Sequence, residues 1–170
     1  MRSGITLCHR LMRKNRIRIK RVYKLPAGFD ELVAESVTEG CRFLVRLRSE
    51  FNSGLNRFAK RGEQLLVARI GDSIVGVCGL NRDPYTPDCG VGRVRHLYVL
   101  SKYRRRGVAR ALVSHVVLAA DGVFKALRLR TDSNVADRFY QAMGFVRSDV
   151  DPTATHVHLG DGDEVTMVGP

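Results

Sequence analysis

Apolar and basic residues alternate near the start of the chain, in the stretch RIRIKRVYKL at residues 16–25. A period of two residues is typical of a β-strand with one buried face. From residue 30 to about residue 56 the apolar positions recur every three or four residues, which predicts helical structure. Gly40 interrupts this segment, so we predict two helices after the first strand.

Two apolar runs rich in β-branched residues, residues 65–70 and 74–80, flank the turn sequence Gly71-Asp72-Ser73. Two such runs around a short glycine-containing turn predict a β-hairpin. A loop with two prolines follows, and GRVRHLYVL at residues 92–100 then predicts a further strand.

The second half of the chain alternates between helical and strand patterns. An apolar stripe after Gly107 predicts a helix to about Ala120, and KALRLRT at residues 125–131 alternates like a strand. Next, Ser133 or Asn134 is a suitable N-cap for a helix that ends by Gly144, since glycine commonly terminates helices.

Residues 145–146 and 154–160 predict two short final strands. The resulting order, β-α-α-β-β-β-α-β-α-β-β, predicts an α/β fold with a mixed, partly antiparallel sheet flanked by helices. We expect one domain at residues 15–170 after a basic arm at residues 1–14, with Met12 as a second candidate start.

The chain of 170 residues has a formal net charge of +12, from 29 Lys and Arg against 17 Asp and Glu. Such a charge attracts anions without naming one: nucleic acid, an acidic protein or a polyphosphate cofactor. No apolar run approaches the roughly 20 residues that cross a bilayer, and the N-terminus lacks the features of a secretory signal. We therefore expect a soluble, cytoplasmic protein without a membrane partner.

Neither the cysteines nor the histidines indicate a metal site. The four cysteines lie far apart and form no CxxC pair: Cys8, Cys41, Cys78 and Cys89. This spacing argues against a zinc site or a disulfide framework. His156 and His158 share one face of the last predicted strand, but no further ligands accompany them. We expect no metal, and for both histidines a structural or acceptor-pocket role.

The stretch YRRRGVARAL, residues 103–112, lies where a predicted strand passes into a predicted helix. The first N–H groups of a helix have no partner within it, and the helix dipole makes that end positive. Gly107 has no Cβ, so a phosphate can approach the backbone closely there. Taken alone, the stretch is either a solvated basic turn or a phosphate-binding loop.

Residues 104–109 fit the pattern Arg/Gln-x-x-Gly-x-Gly/Ala, and ADRFYQAMGF at residues 136–145 supplies a second block. Over about residues 15–160 the chain resembles the GNAT superfamily of acyl-CoA N-acyltransferases. The resemblance implies the GNAT fold and acetyl-CoA as cosubstrate, with its diphosphate held by a loop. The residues of that loop are Arg104, Arg105, Arg106, Gly107, Val108, Ala109 and Arg110.

The resemblance also implies roles for residues outside the loop. Main-chain groups of Leu97, Tyr98 and Val99 would pair with the pantetheine arm of the coenzyme. Tyr140 would be the general acid for the departing thiolate, or an aromatic residue that packs its helix and lines the cofactor tunnel. Ser133 and Asn134 either contact the coenzyme or cap the helix.

The general base remains unassigned at this point. Where many relatives have a glutamate on the strand before the loop, this chain has Arg93. His96 is a candidate replacement, although strand parity puts it on the opposite face from Arg93. Four carboxylates in segments near the acceptor side are also candidates, as is a water relay. These are Asp83, Asp88, Glu35 and Glu50.

The implied activity is transfer of the acetyl group from acetyl-CoA to a primary amine of a small molecule or protein, by direct attack. Two alternatives stay open: a regulatory acyl-CoA-binding protein with little catalysis, and a basic nucleic-acid-binding module. No helix-turn-helix or RRM signature supports nucleic acid as a partner. Family members are often dimers, so a homodimer is open too. The acceptor depends on residues near 40–56 and 149–164, which name no substrate.

Overall fold

The computed structural model describes residues 16–160. The predicted basic arm and Met12 lie outside these residues. Every element predicted from the sequence pattern is present, and in the predicted order. In chain order they are β1 (Ile17–Arg21), α1 (Phe29–Thr38), α2 (Phe43–Ser53), β2 (Gln64–Ile70), β3 (Ser73–Arg82), β4 (Val91–Val99), a 3-10 helix (Ser101–Tyr103), α3 (Val108–Ala120), β5 (Ala126–Leu129), α4 (Asn134–Gln141), β6 (Val146–Arg147) and β7 (His156–Leu159).

The strands form one mixed sheet in the order β1-β2-β3-β4-β5-β7-β6. β1 and β2 are antiparallel, β4 and β5 are parallel, and β7 is antiparallel to both β5 and β6. The predicted fold class is therefore confirmed. The sequence pattern did not predict the order of the last strands, in which β7 lies between β5 and β6.

The described chain forms two compact units, and β3, β4 and α3 contribute residues to both. The first unit comprises residues up to 57 together with residues 65–78 and 96–112. Its core includes fully buried leucines of both N-terminal helices, among them Leu32, Leu44 and Leu47.

In this unit the start of α3 packs closely on β3. A Cβ at Gly76 would lie 2.9 Å from the Tyr98 carbonyl oxygen and 3.2 Å from the Leu112 side chain. Glycine in β3 is thus what lets strand and helix approach, a typical use of glycine within a sheet.

The second unit comprises residues 58–64, 79–95 and 113 onward. Its core contains Phe124, Leu127, Leu129 and Phe145, all buried. α4 starts one residue after Ser133, whose Oγ accepts a hydrogen bond from the Ala136 amide at 3.3 Å. The predicted N-cap is therefore Ser133, and Asn134 is the first helical residue. No helix among residues 16–160 is long and apolar enough to span a membrane.

Candidate active site

The basic loop after β4 has an unusual backbone. β4 ends at Val99, the 3-10 helix follows, and a turn at residues 104–107 leads into α3. Two residues of the turn are left-handed, Arg105 with φ 62° and Gly107 with φ 82°. A non-glycine residue in this region costs about 1–3 kcal/mol and is concentrated at ligand-binding loops. Turns of this kind gather successive N–H groups into anion-binding concavities.

The space around Gly107 is open. A Cβ built at this position would meet no atom within 4 Å, so packing does not require a glycine. What favours glycine is the positive φ, together with the close backbone approach that a missing Cβ allows. The side chains of Arg105, Arg106 and Arg110 are exposed around it. The loop thus fits an anion that lies against the backbone and is surrounded by positive charge.

Glu35 of α1 holds the 3-10 helix that precedes the turn. Its Oε1 accepts hydrogen bonds from the Ser101 amide at 2.7 Å and from the Tyr98 hydroxyl at 3.1 Å. Its Oε2 accepts a third bond from the Ser101 hydroxyl at 3.2 Å. The candidate base Glu35 is therefore a structural acceptor for the loop.

Glu39, one helical turn later, holds the first arginine of the turn. Its Oε2 lies 2.5 Å from Nη2 of Arg104 and 3.0 Å from the Tyr98 hydroxyl. Arg104 also donates from Nε to the Val99 carbonyl at 2.9 Å, and its guanidinium carbon lies 5.5 Å from the centroid of the Tyr98 ring. We call these five residues, Glu35, Glu39, Tyr98, Ser101 and Arg104, the carboxylate latch.

These contacts shift the pKa values of three side chains of the latch. The hydrogen bond from Arg104 lowers the pKa of the Glu39 carboxyl, and the bond to Glu39 raises the pKa of Arg104. Burial, followed by the bonds to Glu39 and Glu35, raises the pKa of the Tyr98 hydroxyl above its usual value of 10.0. At neutral pH the latch therefore contains the Glu39 carboxylate, the Arg104 guanidinium and a neutral Tyr98 phenol.

β4 is irregular just before the loop. His96 is left-handed, with φ 59°, and its buried ring lies 6.3 Å from the Phe43 ring. A left-handed residue inside a strand is typical of a bulge, which breaks the alternation of the two faces. The register of β4 with β5 covers Val91–Arg93 only, and Leu97, Tyr98 and Val99 lie beyond it.

Tyr140 lies in the second unit, in an aromatic cluster. Its ring centroid lies 5.2 Å from that of Phe139, 5.5 Å from Phe145 and 6.1 Å from His156, and the residue is 7% exposed. His156 is fixed by two contacts, with Asp137 Oδ1 at 2.8 Å and Thr155 Oγ1 at 2.9 Å. Both ring nitrogens of His156 are thus engaged, and the ring lies beside Tyr140.

The remaining candidate bases are already engaged as acceptors. Asp83 forms an ion pair with Arg93. Asp88 pairs with Lys125, whose hydrogen bond lowers the pKa of the Asp88 carboxyl, and Glu50 pairs with Arg46. The lowered pKa makes the Asp88 carboxylate a weak base. Among residues 16–160, no group of His, Cys, Asp and Glu side chains could hold a metal ion.

Sequence reasoning missed the latch. Its one local signal is the spacing of Glu35 and Glu39, four residues apart and so on one helix face. Their partners lie 59 to 66 residues further along the chain, and no sequence pattern connects the two segments.

Comparisons with known proteins agree with the observed fold. A crystal structure of a candidate acetyltransferase from Exiguobacterium sp. 255-15 matches with a TM-score of 0.76 and 26% identity, over 85% of this chain and 93% of that one. A GNAT family N-acetyltransferase from Escherichia coli, in complex with CoA, matches in fold with a TM-score of 0.61 and 20% identity, over 85% and 82% of the two chains.

An uncharacterised protein of Mycobacterium leprae is 34% identical over 85 residues, which are 50% of this chain and 23% of that protein. This chain thus spans about a quarter of the length of that relative. The family model described as the acetyltransferase (GNAT) domain matches residues 61–147, which include the basic loop and Tyr140. The chain belongs to the GNAT family of acetyltransferases.

Proposed function

We propose that the protein is an N-acetyltransferase that moves the acetyl group of acetyl-CoA to a primary amine by direct attack. The observation that carries this proposal is the loop at residues 104–107, with two left-handed residues and an open space at Gly107, in a chain of this family. Acetyl-CoA, when bound, supplies the acetyl group as an activated thioester.

The loop is the proposed holder of the coenzyme diphosphate. The amides at the start of α3, including those of Val108 and Ala109, have no partner within the helix and carry the positive end of its dipole. Exposed Arg105, Arg106 and Arg110 add charge that suits phosphate oxygens. The guanidinium of Arg104 is engaged in the latch, and its role is argued separately below.

Main-chain groups of Leu97, Tyr98 and Val99 are the proposed partners of the pantetheine arm. Their position beyond the register of β4 with β5 supports this role. Ser133 and Asn134 remain proposed coenzyme contacts, with the observed cap as the established role of Ser133.

Tyr140 is the proposed general acid, which gives its hydroxyl proton to the leaving sulfur. A phenol has a pKa near 10, close enough to that of a thiol for such a transfer. The aromatic cluster around Tyr140 excludes water from its ring and fixes its position. The base that takes the proton of the amine is unassigned. Because the candidate carboxylates are engaged by other groups, a water relay remains a candidate for this step.

One observation favours a second candidate function, a regulatory protein that binds acyl-CoA with little catalysis. At the position aligned with the glutamate of many relatives, Arg93 forms a buried ion pair with Asp83 and cannot act as a base. The two functions share the coenzyme site and differ in turnover.

Thiol release from acetyl-CoA, measured with a panel of polyamines, amino acids, aminoglycosides and lysine peptides, tests the proposal. An N-acetyltransferase releases thiol only when an accepted amine is present, and mass spectrometry finds that amine acetylated. Binding of CoA without amine-dependent release across the panel would support the regulatory function instead.

A further inference from the structure

We infer that Arg104, held by Glu39, positions the coenzyme loop, and that this positioning, rather than contact with the diphosphate, is the main role of its side chain. Glu39 is then a positioning residue for coenzyme binding. The inference rests on the proposed function, because it concerns the loop that would hold the diphosphate. It separates one of the four arginines of the loop from the other three by what each side chain contacts.

The Arg104 guanidinium is engaged on three sides. Nε donates to the Val99 carbonyl at the end of β4, Nη2 bonds to Glu39, and one face lies over the Tyr98 ring. A bidentate contact of Nη1 and Nη2 with a phosphate would compete with the Glu39 carboxylate for Nη2, and it would turn the guanidinium away from the Val99 carbonyl and the Tyr98 ring. A guanidinium presents its donors in a rigid planar fork, so it cannot keep this geometry and turn toward another anion.

Arg104 is the first residue of the turn, so its contacts fix the turn where it begins. Arg105 follows in the left-handed region with φ 62°. Glu39 fixes Arg104, and Glu35 fixes Ser101 three residues earlier through two hydrogen bonds. Two carboxylates of one helix thereby hold the segment leading into the turn in place before any ligand arrives. A loop ordered in advance does not lose that conformational freedom on binding, which increases affinity.

Whether Glu39→Gln weakens or tightens CoA binding separates positioning from direct binding. Glu39→Gln removes a negative charge close to a site for an anion, so Coulomb's law alone predicts tighter binding of a diphosphate. If Glu39 merely restrained an arginine that binds the phosphates, its loss would also release that arginine and tighten binding. If Arg104 is a positioning residue, the loop loses its order and binding weakens, against the electrostatic trend.

The experiment measures dissociation constants of the full chain for two probes: CoA, and pantetheine, which lacks the diphosphate and the nucleotide. The variants are Glu39→Gln, Arg104→Lys and the two combined. Glu31→Gln is the matched control, because Glu31 lies on the same helix and pairs with Lys102 of the 3-10 helix at 3.0 Å, outside the latch. It removes the same charge and leaves Arg104 held.

We expect Glu39→Gln and Arg104→Lys each to weaken CoA binding about tenfold, equivalent to about 1.4 kcal/mol. Arg104→Lys keeps the positive charge, so its loss of affinity reports lost geometry. The combined variant should bind CoA no more weakly than either single variant, because both remove one interaction. Pantetheine binding should weaken less than CoA binding in the Glu39 and Arg104 variants, and its persistence shows that they fold. Glu31→Gln should bind CoA at least as tightly as the wild type.

Unchanged or tighter CoA binding by Glu39→Gln would overturn the inference. So would equal weakening of CoA and pantetheine, which would mean a general loss of structure. A wild-type protein that binds CoA no better than pantetheine would instead contradict the proposed diphosphate loop itself, so the two failures are distinguishable.

Discussion

Arg93 and Asp83 form an ion pair that is almost completely removed from water. Nη1 of Arg93 lies 3.0 Å from Oδ2 of Asp83, and the two side chains are 6% and 0% exposed. Arg93 also donates to the Thr153 carbonyl, and its guanidinium carbon lies 4.6 Å from the centroid of the Tyr85 ring. Arg93 is thus part of the core of the second unit.

Removing one partner of this pair should destabilise the protein strongly. Arg93→Met leaves the Asp83 carboxylate buried without its counterion, which costs about 3–5 kcal/mol. The double variant Arg93→Met with Asp83→Leu should recover most of that loss, because it leaves no buried charge. Urea unfolding measures both effects, and a loss below about 1 kcal/mol for the single variant would show that Asp83 reaches solvent.

Loss of the Tyr140 hydroxyl should slow turnover and leave coenzyme binding intact. Tyr140→Phe keeps the ring in its aromatic cluster and removes the proton donor. We expect kcat to fall about a hundredfold, which is the lower end of the rate contribution of a general acid. Steady-state thiol release with the accepted amine measures kcat, and calorimetry measures CoA affinity. An unchanged kcat would mean that Tyr140 only packs its helix.

The contacts of Tyr98 in the latch should make the free energy of unfolding fall at alkaline pH. Because its pKa is raised in the folded protein, the folded state keeps the proton more firmly than the unfolded chain, whose phenol titrates near pH 10.0. The stabilisation by Tyr98 is therefore complete below pH 10 and is lost as pH rises further. Urea unfolding from pH 8 to pH 11 should show the difference between wild type and Tyr98→Phe shrinking above pH 10. A difference that stays constant with pH would indicate that the pKa of Tyr98 is not raised in the folded protein.

The sequence predicted features whose causes are local. Hydrophobic periodicity placed the strands and helices, and the two predicted candidates for the N-cap, Ser133 and Asn134, included the observed cap Ser133. The basic loop was recognised because its glycine and arginines are consecutive. Each of these depends on residues within a few positions of one another.

Features that depend on distant residues or on backbone angles could not be predicted in this way. The bond between Glu35 and Ser101 joins residues 66 positions apart. Nothing in the local sequence distinguishes His96 from its neighbours in the strand. Only its φ of 59° reveals the irregularity in β4. The sequence around Arg93 alternates apolar and basic residues as in an ordinary strand, so its burial against Asp83 follows from tertiary packing alone.

Calorimetric titration of CoA into the wild type, Gly107→Glu and Gly122→Glu tests the coenzyme loop most directly. Gly122 is a matched control, since it is also left-handed, with φ 66° against 82° for Gly107, and also has no neighbour within 4 Å of a built Cβ. Both variants carry the same backbone strain and the same added charge. We predict that CoA binds the wild type and Gly122→Glu alike, and that Gly107→Glu does not bind it. Equal binding by all three proteins would contradict the assignment of the loop.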